Sequence, residues 1–136
     1  MSGLLDTSIL VRYLTGEPAN LAEQAAQVID HEEALQVSDV VLAETVYVLT
    51  SVYSVPREIV VDHLILFLQK ENIRPFALEK NNVLQALLLC RPSGRVSFTD
   101  ALIWAAAHET EEKVVYSLDE RFPRDGVEVR KGRINP

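Results

Sequence analysis

The sequence predicts an α/β fold, a parallel sheet covered on both faces by helices. Short apolar runs of strand length alternate with longer helix-patterned segments along the whole chain. Strands separated in this way by helices belong to parallel sheets. The scale agrees: 136 residues, 48% of them apolar, suffice for a domain that buries roughly two-thirds of its unfolded surface. No interdomain linker, internal repeat or low-complexity tract is visible, so residues 1–136 read as a single domain.

The elements follow in order. Gly3 to Asp6 is short and apolar and reads as a buried strand, and Ile9 to Leu14 reads as a helix stopped by Gly16 and Pro18. Leu21 to Asp30 is a second helix, with Leu21, Ala25, Val28 and Ile29 on one face. Leu35 to Ser38 is a strand, after which Asp39 reads as the cap of a long helix, VVLAETVYVLTSVY. Pro56 suits the first turn of the next helix, which runs to about Lys70 with Ile59, Leu64, Phe67 and Leu68 inward. Ile73 to Leu78 is strand-like, and Pro75 demotes it to an edge or a short piece because proline cannot donate to a ladder. Helices are expected over Lys80 to Cys90 and Thr99 to Glu109, with RPSGRVS as the loop between them. Val114 to Ser117 is a strand, and a turn containing Pro123 and Gly126 leads to a last strand, Val127 to Val129.

Composition narrows the class. The single cysteine, Cys90, excludes an intrachain disulfide, and its place in ALLLC reads as a buried, inert thiol. The start carries no basic segment followed by an apolar one, and no run approaches the ~20 apolar residues that span a bilayer. A soluble, cytoplasmic protein with no membrane partner is therefore expected. The formal charge of -7 argues against non-specific binding of a polyanion, unless cations neutralise some of the acids. The basic residues are uneven: Arg91 and Arg95 flank a glycine loop, Arg121 and Arg124 follow a turn, and Arg130, Lys131 and Arg133 lie near the end.

Most of the 20 acids lie in polar stretches such as DHEE and HETEEK. Four sit in apolar company, where a carboxylate needs a partner. Asp6, in GLLDTSIL, ends the first strand; its plain alternative is a helix cap. Glu44, in VVLAETVYVL, shares a helix face with Val40, Val41 and Val48, and no Lys or Arg lies between Arg12 and Arg57 to pair with it locally. Asp100, in FTDALIWAAA, shares a face with Ile103, Trp104 and Ala107; a capping box with Ser97 competes. Asp119, just past the strand VVYS, could equally serve a turn. Open parallel sheets place their sites at the carboxyl ends of strands, and these four acids, with Asp39, map to that edge. Clustered carboxylates raise one another's pKa unless cations intervene, and an all-oxygen set favours Mg²⁺ or Mn²⁺. His31, His63 and His108 lie in separate helical segments and form no zinc motif. No P-loop or G-x-S-x-G elbow is present.

The order DTSIL, LAE on a long helix, FTDALIWAAA and SLDERF resembles the PIN-domain family, and more narrowly the toxin ribonucleases of VapBC-type toxin–antitoxin systems. The resemblance covers essentially the whole chain. It implies a three-layer α/β/α sandwich with a central parallel sheet, and a Mg²⁺- or Mn²⁺-dependent endoribonuclease. Asp6, Glu44, Asp100 and Asp119 would be the metal-binding and catalytic acids. Thr7 or Ser8, and Ser117, would be the supporting hydroxyls. It also implies an RNA substrate, an antitoxin that covers the acidic site and a homodimer. One departure stands out: where family members often carry D-x-D-F, this chain has Asp119, Glu120, Arg121 and Phe122, and Glu120 is a poor fifth acid because adjacent side chains diverge. Some of Arg91, Arg95, Arg121 and Arg124, in loops beside the last two motifs, are expected to contact phosphates, with solvated loops as the plain alternative. A competing reading keeps the fold without chemistry, as a binding module whose acidic edge takes a basic peptide or an antitoxin.

Overall fold

The computed structural model describes residues 2–92 and 94–131; Arg133 of the basic C-terminal group lies outside the described residues. Five strands form one sheet, β1 (Ser2–Leu5), β2 (Ala34–Ser38), β3 (Ile73–Phe76), β4 (Val114–Tyr116) and β5 (Glu128–Arg130). Six helices connect them: α1 (Thr7–Thr15), α2 (Ala19–His31), α3 (Asp39–Ser51), α4 (Arg57–Leu68), α5 (Lys80–Cys90) and α6 (Phe98–His108). The strand order is β3-β2-β1-β4-β5 and every neighbouring pair is parallel. This is the expected α/β architecture with a central parallel sheet.

The chain steps outward from β1 to β2 to β3, then doubles back past β1 to reach β4. Right-handed crossovers in opposite directions put helices on both faces of a sheet. Between β1 and β4 the chain leaves in opposite directions, the crevice where open α/β sheets receive ligands. The core runs through this middle: Leu4, Leu5, Ile9, Leu35, Val37, Val41, Ile103 and Val115 have no exposed surface. β3 is an edge strand, in keeping with Pro75, and Pro75 sits opposite Val37 of β2.

Several sequence expectations need correction. Ser38, not Asp39, holds the cap position of α3, and its side chain makes no capping bond; Asp39 is the first helical residue and is exposed. In α4 the buried residues are Val60, Leu64 and Phe67, a stripe at i, i+4 and i+7. Ile59 and Leu68 flank that stripe by about 100° or less, and they remain 46% and 38% exposed rather than inward. β3 ends at Phe76, two residues short of Leu78. Cys90 is half-buried at the last turn of α5, its Sγ 3.7 Å from the Leu87 carbonyl oxygen. His31 and His63 are exposed and His108 is half-buried beside Trp104, as surface or partly buried helix residues should be. Among the described residues no helix is long and apolar enough to cross a membrane.

Candidate active site

A cleft of about 510 Å³ opens at the carboxyl end of β1, and Asp6, Glu44, Asp100 and Asp119 all line it. Each arrives on a different element. Asp6 directly follows β1, where its amide donates to the Tyr116 carbonyl at 2.9 Å and extends the β1–β4 ladder by one bond. It stands at the cap position of α1, yet its side chain makes no capping bond. The cap alternative therefore does not account for this carboxylate. Two hydroxyls hold it instead: Ser117 Oγ donates to Oδ2 at 2.6 Å and Ser8 Oγ donates to the same oxygen at 2.8 Å.

Those hydroxyls also tie the two strands together. Ser117 Oγ accepts the Asp119 amide at 3.0 Å, and Ser8 Oγ accepts the Leu118 amide at 2.9 Å. Ser117 is fully buried beneath the cleft, whereas Thr7 and Ser8 line it. Thr7 Oγ1 is buried with no hydrogen-bond partner among the described residues. Ser117→Ala removes a hydrogen bond to a buried carboxylate and is expected to destabilise the protein by about 1–3 kcal/mol. Denaturant unfolding of both proteins checks this; unchanged stability would mean that the Ser117 hydroxyl is not needed to hold Asp6.

Helical spacing explains the remaining walls. Glu44, Val48 and Val52 recur every four residues along the α3 segment and face the cleft, while the neighbouring stripe Val41, Thr45 and Leu49 faces the core. In α1, Thr7 and Val11 form one i, i+4 pair on the cleft wall, and Ser8 and Arg12 form the next. Asp100 lies in the first turn of α6, whose cap Ser97 accepts the Asp100 amide at 3.1 Å. The Ser97 cap is real, and the Asp100 carboxylate still reaches the cleft. Asp119 similarly serves two ends: Oδ1 accepts the Arg121 amide at 2.9 Å, a turn bond, while the residue lines the cleft. The turn after it is anchored by buried Phe122 and by Trp104 of α6, whose Nε1 donates to the Asp125 carbonyl at 2.6 Å.

The electrostatics are those of a site short of positive charge. Burial pushes the Asp6 carboxyl up, the hydroxyls of Ser117 and Ser8 and the Thr7 amide pull it down, and the Glu44 charge raises it further. Desolvation, then the charges of Asp6, Asp119 and Glu44, push Asp100 up to about 7. Among the described residues no group of three His, Cys, Asp or Glu side chains is arranged to hold an ion as it stands. The four carboxylates share one cleft without forming a closed coordination cluster. The donor chemistry nonetheless fits a hard divalent cation: oxygen ligands only, mutual repulsion to relieve, and the orphaned Thr7 hydroxyl beside Asp6.

The arginines divide. Arg95 and Arg121 line the cleft; Arg91 and Arg124 are exposed and are not part of its wall. Glu120 is exposed and pairs with Lys131, away from the cleft, in line with its dismissal as a fifth acid. Arg12 and Tyr53 also line the cleft and were not foreseen. For Arg12 the signal was present, since it lies one helical turn after Ser8.

Comparison with known proteins places this geometry. A family model described as PIN domain matches residues 3–126. No curated protein sequence matches the chain. Among solved structures, the chain is similar to VapC20 of Mycobacterium tuberculosis, a sarcin–ricin loop cleaving toxin, with a TM-score of 0.75 and 21% identity over 96% of this chain and 99% of that one. It is also similar to VapBC2 from Rickettsia felis bound to a DNA fragment from their promoter (TM-score 0.66, 18% identity, 96% and 98% covered). VapBC-1 from nontypeable Haemophilus influenzae gives a TM-score of 0.65 at 17% identity, covering 96% of this chain and 97% of that one. At these identities the likeness is one of fold.

Proposed function

The chain belongs to the PIN domain family, and from that premise we propose that it is one nuclease domain, a metal-dependent endoribonuclease acting as the toxin of a toxin–antitoxin pair. One observation carries the reading: four carboxylates from four separate segments meet in a single cleft at the switch point of the sheet. The cutting of an RNA loop by the Mycobacterium tuberculosis neighbour supports RNA as the substrate, and the two VapBC neighbours support an antitoxin partner. Exposed apolar side chains, Ile65 and Leu66 on α4 and Leu84, Leu87 and Leu88 on α5, supply area for an antitoxin and for a second copy of the chain.

Asp6 and Asp100 are the central ligands in this reading, and Glu44 and Asp119 complete the set directly or through water. A Mg²⁺ or Mn²⁺ ion held by these residues would supply acidity to water at neutral pH and positive charge to offset that developing on the phosphoryl group. The protein's own part is orientation. Ser8 and Ser117 both address Asp6 Oδ2, which fixes the carboxylate plane and leaves Oδ1 outside their bonds. Arg95 and Arg121 bring positive charge to the cleft rim, where phosphates of the strand pass.

The test is cleavage of structured RNA, including a sarcin–ricin hairpin, with and without Mn²⁺. Cutting is expected only with the ion. The attacking oxygen comes from water and not from the ribose 2′-hydroxyl, so the products are expected to carry 5′-phosphate and 3′-hydroxyl ends. A 2′,3′-cyclic phosphate, read by end-labelling, would contradict this reading.

A further inference from the structure

We infer that Arg12 grips a backbone phosphate of the strand that enters the cleft. The inference rests on the nuclease reading for the identity of the ligand. Its structural basis is independent of the four acids. Arg12 lines the cleft from α1, on the same stripe as Ser8, whereas Arg95 and Arg121 sit on a loop and a turn. Its guanidinium is held by neutral oxygens: Nη1 donates to the Glu17 carbonyl at 3.2 Å and to Tyr53 Oη at 3.4 Å. Both bonds use Nη1, so the Nε and Nη2 hydrogens have no bond to any described residue. Among the described residues Arg12 forms no ion pair, although Asp6, Glu44, Asp100 and Asp119 share its cleft.

That combination has a chemical meaning. An arginine whose purpose was to neutralise the acids would sit against one of them. Here a permanent charge rises from α1 and is anchored by one nitrogen, on a carbonyl of the turn between α1 and α2 and on a tyrosine hydroxyl, with the rest of its donor fork making no bond to a described residue. A planar fork of N–H groups matches two oxygens of a phosphate, and pre-anchoring lowers the ordering cost of forming those bonds. Phosphate contacts position a strand without reading its sequence. Arg12 therefore sets where the strand lies relative to Asp6 and Asp100 and does not choose which bases are cut.

The experiment has two arms. Cleavage with Mn²⁺ is measured for the wild type, Arg12→Gln, Arg12→Lys and Tyr53→Phe. In parallel, binding of a short unpaired RNA is followed by fluorescence anisotropy across a salt series, for Asp100→Asn with and without Arg12→Gln or Arg12→Lys. Arg12→Gln is expected to weaken binding and raise KM about 10-fold or more, the scale of a lost charged hydrogen-bond pair, with kcat little changed. The slope of log Kd against log salt should shrink by about 0.7, the loss of one single-strand phosphate contact. Arg12→Lys keeps the charge without the fork, so it should restore the slope and only part of the affinity. Tyr53→Phe leaves the charge in place and loosens the anchor, so KM should rise modestly at constant slope; this variant keeps the test alive if Arg12→Gln folds poorly. An unchanged salt slope in Arg12→Gln, or a fall in kcat at constant KM, would overturn the assignment. If the wild type cuts no RNA, the nuclease reading fails and the anisotropy arm still decides Arg12: a reduced slope upholds it, and no binding at all ends it.

Discussion

Asp100→Asn is expected to reduce RNA cleavage by more than about 100-fold, since outer partners of a metal ligand alone cost 10–100-fold. The same change is expected to raise the melting temperature of the metal-free protein at pH 7.5 by a few degrees. The two effects have one cause. Asp100 lies half-buried among Asp6, Asp119 and Glu44, and burial with their charges raises its carboxyl from 3.8 to about 7. An acid whose folded pKa exceeds its unfolded value binds more protons in the folded state between those two values. Stability from this group is therefore fully present below about 3.8 and lost as pH rises towards 7. Asn carries no charge and keeps the shape, and its backbone amide still bonds Ser97 Oγ. The gain in stability is modest because the site is open to water, which screens the repulsion. Adding Mn²⁺ should reverse the ranking: the wild type gains stability, by about 2.7 kcal/mol at a concentration 100 times the dissociation constant, and the variant gains far less. Thermal melts of both proteins at pH 5 and 7.5, with and without Mn²⁺, give the answer. A variant less stable than the wild type without metal at pH 7.5 would mean that the carboxylate is a structural partner, and the metal-site reading would lose its electrostatic basis.

The acids were legible in the sequence because each sat in apolar company, and Glu44 also had no Lys or Arg near it to answer its charge. Their convergence was legible because the element order implied a parallel sheet, and parallel sheets gather strand ends on one edge. Less legible were features that depend on which face of a helix meets which neighbour. Ile59 and Leu68 fit an inward stripe by composition, yet the stripe that α4 buries is Val60, Leu64 and Phe67. Asp39 looked like a cap because aspartate commonly caps, but α3 begins at Asp39 itself, so the cap position falls to Ser38, the last residue of β2. Arg91 and Arg124 share loops with cleft residues, and proximity along the chain did not carry them into the cleft. Arg12 entered the sequence reading only as one end of the stretch without Lys or Arg around Glu44. The four-residue step from Ser8 was the available clue.

Gly3→Ala is expected to destabilise the protein by about 1–3 kcal/mol, the usual cost of overpacking a filled core, although one methyl group is all that is added. In domains near this size each kcal/mol lowers the melting temperature by roughly 2–8 °C. Gly3 is the second residue of β1, on the strand that pairs with β4, and its backbone is not in a conformation reserved for glycine. What it supplies is space. A Cβ at this position would lie 2.5 Å from Tyr116 Cε2, 2.9 Å from Tyr116 Cδ2 and 3.2 Å from Val114 Cγ1. The Tyr116 ring has little room to retreat. It is 4% exposed, and its hydroxyl donates to Glu32 Oε1 at 3.0 Å at the end of α2. Moving the ring strains that bond or shifts β4, and β4 leads directly into Ser117, the residue that holds Asp6. The variant should therefore also need more Mn²⁺ for half-maximal cleavage, even at temperatures where it is fully folded. Combining it with Tyr116→Leu isolates the cause. If the clash is with the ring, the Gly3→Ala penalty should shrink markedly in the Tyr116→Leu background, a coupling of the size seen between residues in contact. Strictly additive penalties in denaturant unfolding would show that the ring is not the obstacle, and that Val114 or the strand backbone sets the limit at position 3.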